Sequence, residues 1–164
     1  MTTAELGNSL LVHGPGRTRC PQWDARWRLR LVNNLERLVK QLWQIGITNI
    51  FIDGSFVEDK DHPKDIDGYF ETTTYRFATG ALERELNAIE PIWTWNNKAR
   101  RPHRESEKAE LPMWHKYRVD LWPQYTGSRS GLRDRFGNDL PIAAAFRISR
   151  RLNRPRGLIK LEAS

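Results

Sequence analysis

The pattern with the clearest chemical content is Gly54-Ser55, a gap of nine residues, then Asp65-Ile66-Asp67. Glycine lets a chain turn sharply after a strand and come close to a ligand without a Cβ in the way. Ser55 then offers a hydroxyl and backbone N–H groups at an expected helix start, a place that favours phosphate oxygens. Asp65 and Asp67 stand two apart, so on a strand both side chains point to one face. Two close carboxylates repel each other unless a cation lies between them. Mg²⁺ is commonly held by one or two protein carboxylates, with substrate phosphates and water completing its shell. The combination points to metal-assisted attack on a nucleotide phosphorus. Asp120, inside the otherwise apolar run Val119-Asp120-Leu121-Trp122, is the candidate third carboxylate, because an acidic group there needs a partner or a role.

The elements that must position these residues are legible from periodicity. Trp27, Leu31, Leu35, Leu38, Leu42 and Ile45 fall at helical spacing, which predicts a long helix over residues 22–45 that ends at Gly46. Residues 47–53 and 65–71 read as strands on either side of the Gly-Ser turn, and residues 116–122 read as a third, bounded by Pro123. Residues 76–89 read as a helix with Phe77, Leu82, Leu86 and Ile89 inward. A further helix over 141–152 and a strand over 157–161 close the chain. Residues 1–21 read as a loosely ordered arm, and 22–164 as one domain. Residues 96–112 have no apolar periodicity and read as a mobile charged loop. The expected class is α/β (α+β), a mixed sheet flanked by helices.

Composition narrows the function classes. The 164 residues suit a single core without staples, and seven Trp with six Phe argue against wholesale disorder. Cys20 is the single cysteine, so neither an internal disulfide nor a cysteine zinc cluster is available. The N-terminus lacks a signal-peptide pattern and no run has the length of a membrane span, which predicts a cytoplasmic protein with no membrane partner. The net charge of +7 divides into +4 over residues 1–50, −6 over 51–90 and +9 over 91–164. An acidic middle between basic flanks suits a cation site beside a surface that attracts polyanions. Arginine supplies 20 of the 27 basic residues, so the same bias is equally the mark of genomic base composition.

Strand, Gly-Ser turn, connection, Asp-x-Asp and a later isolated strand Asp together resemble the polymerase β nucleotidyltransferase superfamily. The segment from Phe51 to Phe70 is more closely similar to a family of bacterial and phage proteins, the domain of unknown function 6932. So are the helix bearing Arg26, Arg28 and Arg30, the run from Tyr117 to Pro123, and Pro155-Arg156-Gly157-Leu158-Ile159-Lys160. The resemblance implies a nucleotidyltransferase-like fold, Gly54 and Ser55 as binders of the NTP phosphates, and Asp65 and Asp67 as ligands of Mg²⁺ or Mn²⁺. It maps Asp120 onto the third carboxylate, which helps to activate an acceptor hydroxyl. Phe56, Val57 and Gly68 depart from the superfamily pattern.

The implied reaction moves a nucleotide from an NTP, ATP among the candidates, to an acceptor hydroxyl. The basic flanks favour tRNA or other RNA as acceptor, in a toxin–antitoxin or phage-defence setting with a cognate antitoxin as partner. Two rival readings are a transferase acting on a small molecule or protein, and a non-catalytic module that binds nucleotide, nucleic acid or a protein. Arg147, Arg150, Arg151, Arg154 and Arg156 form the densest candidate polyanion contact. Arg100, Arg101 and Arg104 are either a second contact or a solvated charge run. Trp93 and Trp95, alternating on an expected strand, either pack the core or stack a base. His62, His103 and His115 do not stand at metal-ligand spacing from one another, and His13 lies in the arm.

Overall fold

A computed structural model describes residues 1–16, 18, 20–149, 154–155 and 157–163. Its organising element is α3 (Ala25–Gln44), capped at its N-terminus by the Asp24 side chain, which accepts from the Trp27 N–H at 2.8 Å. Leu31, Leu35, Leu38 and Leu42 repeat along one face and are fully buried. They form one cluster with Ile50 and Ile52 of β1 (Ile50–Asp53), Ile66 and Phe70 of β2 (Ile66–Glu71), and Val119 and Leu121 of β3 (Val119–Gln124). Side chains alternate across each strand, so burying these residues on α3 turns the intervening ones to the other face of the sheet.

The sheet has the order β3-β2-β1-β6, with β6 spanning Ile159–Leu161. β1 is antiparallel to β2 and β6, while β2 and β3 are parallel. The protein is therefore a mixed α/β fold with helices against a four-stranded mixed sheet. Gly68 is needed by this packing: a Cβ there would lie 2.5 Å from the Phe51 carbonyl oxygen and 2.8 Å from Leu121. Among the described residues no helix is long and apolar enough to cross a membrane.

Several elements differ from the sequence expectation. Residues 3–13 are not a loose arm. They form α1 (Thr3–Gly7) and α2 (Leu10–His13), which pack on α3 with Leu6 and Val12 fully buried. The Met1 ammonium also donates to Lys160 O at 3.2 Å, tying the N-terminus to β6. The helix expected over 76–89 is two, α4 (Thr74–Ala78) and α5 (Ala81–Ile89), because Gly80 takes a left-handed conformation between them and re-aims the chain. Ile89, expected inward, is exposed at the end of α5.

Trp93 and Trp95 lie on irregular chain, not on a strand, and both are buried. The segment over 96–112, expected to be a mobile charged loop, holds a turn of 3-10 helix at Asn97–Ala99 and an Arg101–Glu110 bridge. Lys116 and Tyr117 end α6 (Pro112–Tyr117) rather than begin β3, and Arg118 turns the chain with φ 55°. Pro123 lies inside β3, which tolerates it because an edge strand has one unpaired side. α7 is shorter than expected, Ile142–Phe146, and leads into a two-stranded ribbon of β4 (Ile148–Ser149) and β5 (Arg154–Pro155).

Candidate functional site

The strand register puts three carboxylates in one row across the sheet, on the face turned away from α3. Asp53 at the end of β1 pairs with Asp67 of β2, which pairs with Asp120 of β3. Asp65 immediately precedes β2. Gly54, Ser55, Asp65, Asp67 and Asp120 all line one cavity of about 720 Å³. The structure thus brings Asp65 and Asp67 to the same side of the sheet, as their spacing requires.

Gly54 opens a single 3-10 turn, Gly54–Val57, rather than an α-helix. So short a turn has no macrodipole to offer a phosphate, and what remains is the Ser55 hydroxyl and the backbone N–H groups. Glycine is nevertheless required at 54. Its φ is +79°, and a Cβ would lie 2.3 Å from Asp67 Oδ2. The Asp67 carboxylate itself fills the space a side chain would take.

The electrostatics of the row follow from its crowding. Burial pushes the Asp67 carboxyl well above the usual carboxylate range, and the Asp65, Asp120 and Asp53 charges push the same way. Burial likewise raises Asp120 to about 6, against the opposing pull of Lys108, a Trp122 hydrogen bond and Arg100. Asp65 is turned so that its Oδ2 accepts the Trp114 indole N–H at 2.7 Å. Asp120 is 3% exposed, and its Oδ1 has no hydrogen-bond partner among the described residues.

No three His, Cys, Asp or Glu side chains among the described residues form a ready cation cage. The donors a hard cation would find here are the oxygens of Asp65, Asp67 and Asp120, with Lys60, Arg100 and Lys108 on the walls to meet anionic groups. The lining also includes Trp95, Trp122, Leu132, Ile142 and Ala145, together with polar Asn97, Arg129 and Ser130.

The connection from the Gly-Ser turn to Asp65 is held by α3. Arg28 is fully buried on the apolar face of that helix. Its Nη1 donates to Leu11 O and Phe56 O, both at 2.7 Å, and its Nη2 donates to Glu58 O at 3.2 Å and Lys60 O at 2.6 Å. The guanidinium lies 3.8 Å from the Trp23 ring centroid. Burial pulls its pKa down to about 10, which leaves it charged at neutral pH. Trp27 Nε1 donates to Pro63 O at 2.6 Å and the Asp24 N–H to Asp61 O at 3.0 Å, completing the clamp.

Arg28→Met keeps the aliphatic reach but leaves those carbonyls without their donor. Losing charge-assisted bonds from a buried network predicts a stability loss of about 3 kcal/mol or more. The check is the thermal midpoint, and an unchanged midpoint would show that the connection holds itself.

The remaining sequence candidates scatter. His62 pairs with Asp24 at 3.0 Å and stacks on Trp27. His103 and His115 pack edge-on against Trp114, outside the cavity. Trp93 is core, donating its indole N–H to Gln41 Oε1 at 2.6 Å, whereas Trp95 is both core and cavity wall. Arg100 lines the cavity, while Arg104 points to solvent. Of the C-terminal arginines, Arg147 is exposed and Arg154 belongs to β5; Arg150, Arg151 and Arg156 lie outside the described residues.

Sequence reasoning missed Asp53 and Lys108, and placed Trp122 on the strand face of Asp120 without giving it a role. Asp53 becomes visible only through strand register. Lys108 sits in a segment without periodicity and carries no local signal. Arg28 did carry one, a lone charge on the apolar stripe of α3.

A mixed α/β domain with a carboxylate row on the open face of its sheet, facing a basic and aromatic cavity, is the class that fold and site define. The chain belongs to the family of unknown function DUF6932, whose model matches residues 1–162. No curated protein and no solved structure matches it.

Proposed function

We propose that the chain is a Mg²⁺-dependent nucleotidyltransferase that moves a nucleotide from an NTP to an acceptor hydroxyl, with a nucleotidyltransferase-like fold. The observation that carries this reading is one cavity lined by the Gly54 turn, the carboxylates of Asp65, Asp67 and Asp120, the cations Lys60, Arg100 and Lys108, and the rings of Trp95 and Trp122. Such a site suits a ligand anionic at one end and flat and aromatic at the other. The fit to a cation rests on a hard-oxygen donor set, an Asp120 Oδ1 without a hydrogen-bond partner among the described residues, and the raised Asp67 carboxyl.

In this reading Asp65 and Asp67 hold Mg²⁺ or Mn²⁺, and the ion, when bound, neutralises charge on the phosphate oxygens. Ser55 and the backbone N–H groups of the Gly54 turn, with Lys60 and Lys108, hold the triphosphate. Asp120 takes the proton of the acceptor hydroxyl as its oxygen attacks the α-phosphorus. The bond to the β-phosphate oxygen breaks, and pyrophosphate leaves.

RNA, tRNA included, is the favoured acceptor class because the flanks of the acidic middle are basic, with Arg147 exposed beside the ribbon. A toxin or phage-defence role, with an antitoxin as protein partner, belongs to the same proposal. The test is incubation with each α-labelled NTP, Mg²⁺ and total bacterial RNA. Label is expected in RNA, and RNA binding should weaken steeply with salt through counterion release. Label absent from RNA but present on small molecules or protein would move the acceptor class. Label absent everywhere would favour a non-catalytic binding module.

A further inference from the structure

Two residues along β3 from Asp120, the same strand face carries Trp122, about 6.7 Å away at the rise of an extended chain. Its side chain lines the cavity, as do Ile142 and Ala145 of α7. Trp122 is close enough to Asp120 to pull the raised Asp120 carboxyl back down. What Trp122 offers a planar ligand is its ring surface.

The ring is braced from one side. The Arg100 guanidinium carbon stands 5.6 Å from its centroid. Arg100 is itself fixed, its Nε donating to Asn97 Oδ1 at 3.1 Å and its Nη1 to Ala109 O at 3.0 Å. A partly exposed indole in a cavity wall, with a guanidinium held at one side of its ring, is a surface for a planar aromatic group.

We propose that Trp122 is the platform on which the base of the bound nucleotide stacks; this deepens the NTP reading above and rests on it. With phosphates at Gly54, Ser55 and the Asp65–Asp67 pair, the sugar passes Asp120 and the base reaches the Trp122 end of the cavity. Stacking uses the π-face that every base has, so Trp122 contributes affinity for a nucleotide over bare polyphosphate.

The experiment is calorimetric titration of the whole chain, without acceptor, with Mg²⁺-ATP and with Mg²⁺-tripolyphosphate. The unaltered protein should bind ATP more tightly than tripolyphosphate. Trp122→Ala should lose about 5- to 150-fold of its ATP affinity, the range that base-on-aromatic stacking spans, with tripolyphosphate affinity little changed. Trp122→Phe, which restores a ring but no N–H, should recover most of that loss. If Trp122→Ala has no cooperative thermal transition, Trp122→Leu takes its place, with bulk but no π-face. Equal affinity of the unaltered protein for both ligands overturns the platform. So does a folded Ala or Leu variant that keeps the ATP preference, which would place Trp122 with the acceptor or with the fold alone. An unaltered protein that binds neither ligand overturns the nucleotide reading, and the platform falls with it.

Discussion

Asp120→Asn should retain Mg²⁺-NTP binding and lose nucleotide transfer by at least about a hundredfold, the low end of general-base contributions. In the proposed reaction Asp65 and Asp67 hold the metal-bound triphosphate, but attack needs an acceptor hydroxyl relieved of its proton. Asp120 faces Asp67 across the β2–β3 ladder and keeps a buried oxygen without a hydrogen-bond partner among the described residues. Asparagine keeps the size and removes the charge. Equal transfer by both proteins would reject the assignment.

The same substitution has a stability signature of the opposite sign. The folded-state Asp120 carboxyl stands at about 6 against 3.8, so the folded protein binds this proton more tightly than the unfolded chain does. Its contribution to stability is therefore fully present below 3.8 and is lost as pH rises towards 6, a difference of roughly 3 kcal/mol at neutral pH. Without metal, Asp120→Asn should be the more stable protein at pH 7, and the gap should close as pH falls through that window. A gap that stays constant with pH would show that Asp120 carries no buried charge.

Gly54→Ala should produce a second large effect. The residue sits at φ +79°, where an L side chain costs about 1–2 kcal/mol. Its Cβ would also stand 2.9 Å from Asp67 Cβ and closer still to the carboxylate oxygen, so Asp67 must move. A displacement of about 1 Å at a reacting centre can cost a hundredfold in rate, and transfer should fall to that degree. Mg²⁺-NTP affinity should fall with it, because Asp67 is one of the two residues assigned to the metal. A folded variant with unchanged nucleotide affinity would show that the turn is structural only.

These residues also mark how far local pattern reaches. The Gly54–Asp67 spacing and the face shared by Asp65 and Asp67 were legible because both depend on strand alternation. So was α3, whose leucine stripe is uninterrupted apart from Arg28. Asp53 was not legible: one acidic residue before Gly-Ser reads as a turn former, and only the β1–β2 register aligns it with Asp67. The N-terminal helices were overlooked because the His13-Gly14-Pro15-Gly16 turn dominated that stretch. A local signal was nevertheless there: the Thr2 side chain and Glu5 make a reciprocal capping box. The end of the strand expected over 116–122 was misjudged at both sides, since periodicity cannot foresee the left-handed Arg118 or a proline tolerated at a sheet edge.

The most direct test of the central claim is metal-dependent nucleotide binding at the Asp65–Asp67 pair. Calorimetric titration with a non-hydrolysable NTP should show binding by the unaltered protein with Mg²⁺ present. That binding should disappear with chelator and in a folded Asp65→Asn, Asp67→Asn double variant. Binding that is indifferent to Mg²⁺, or that survives in the double variant, would contradict the account.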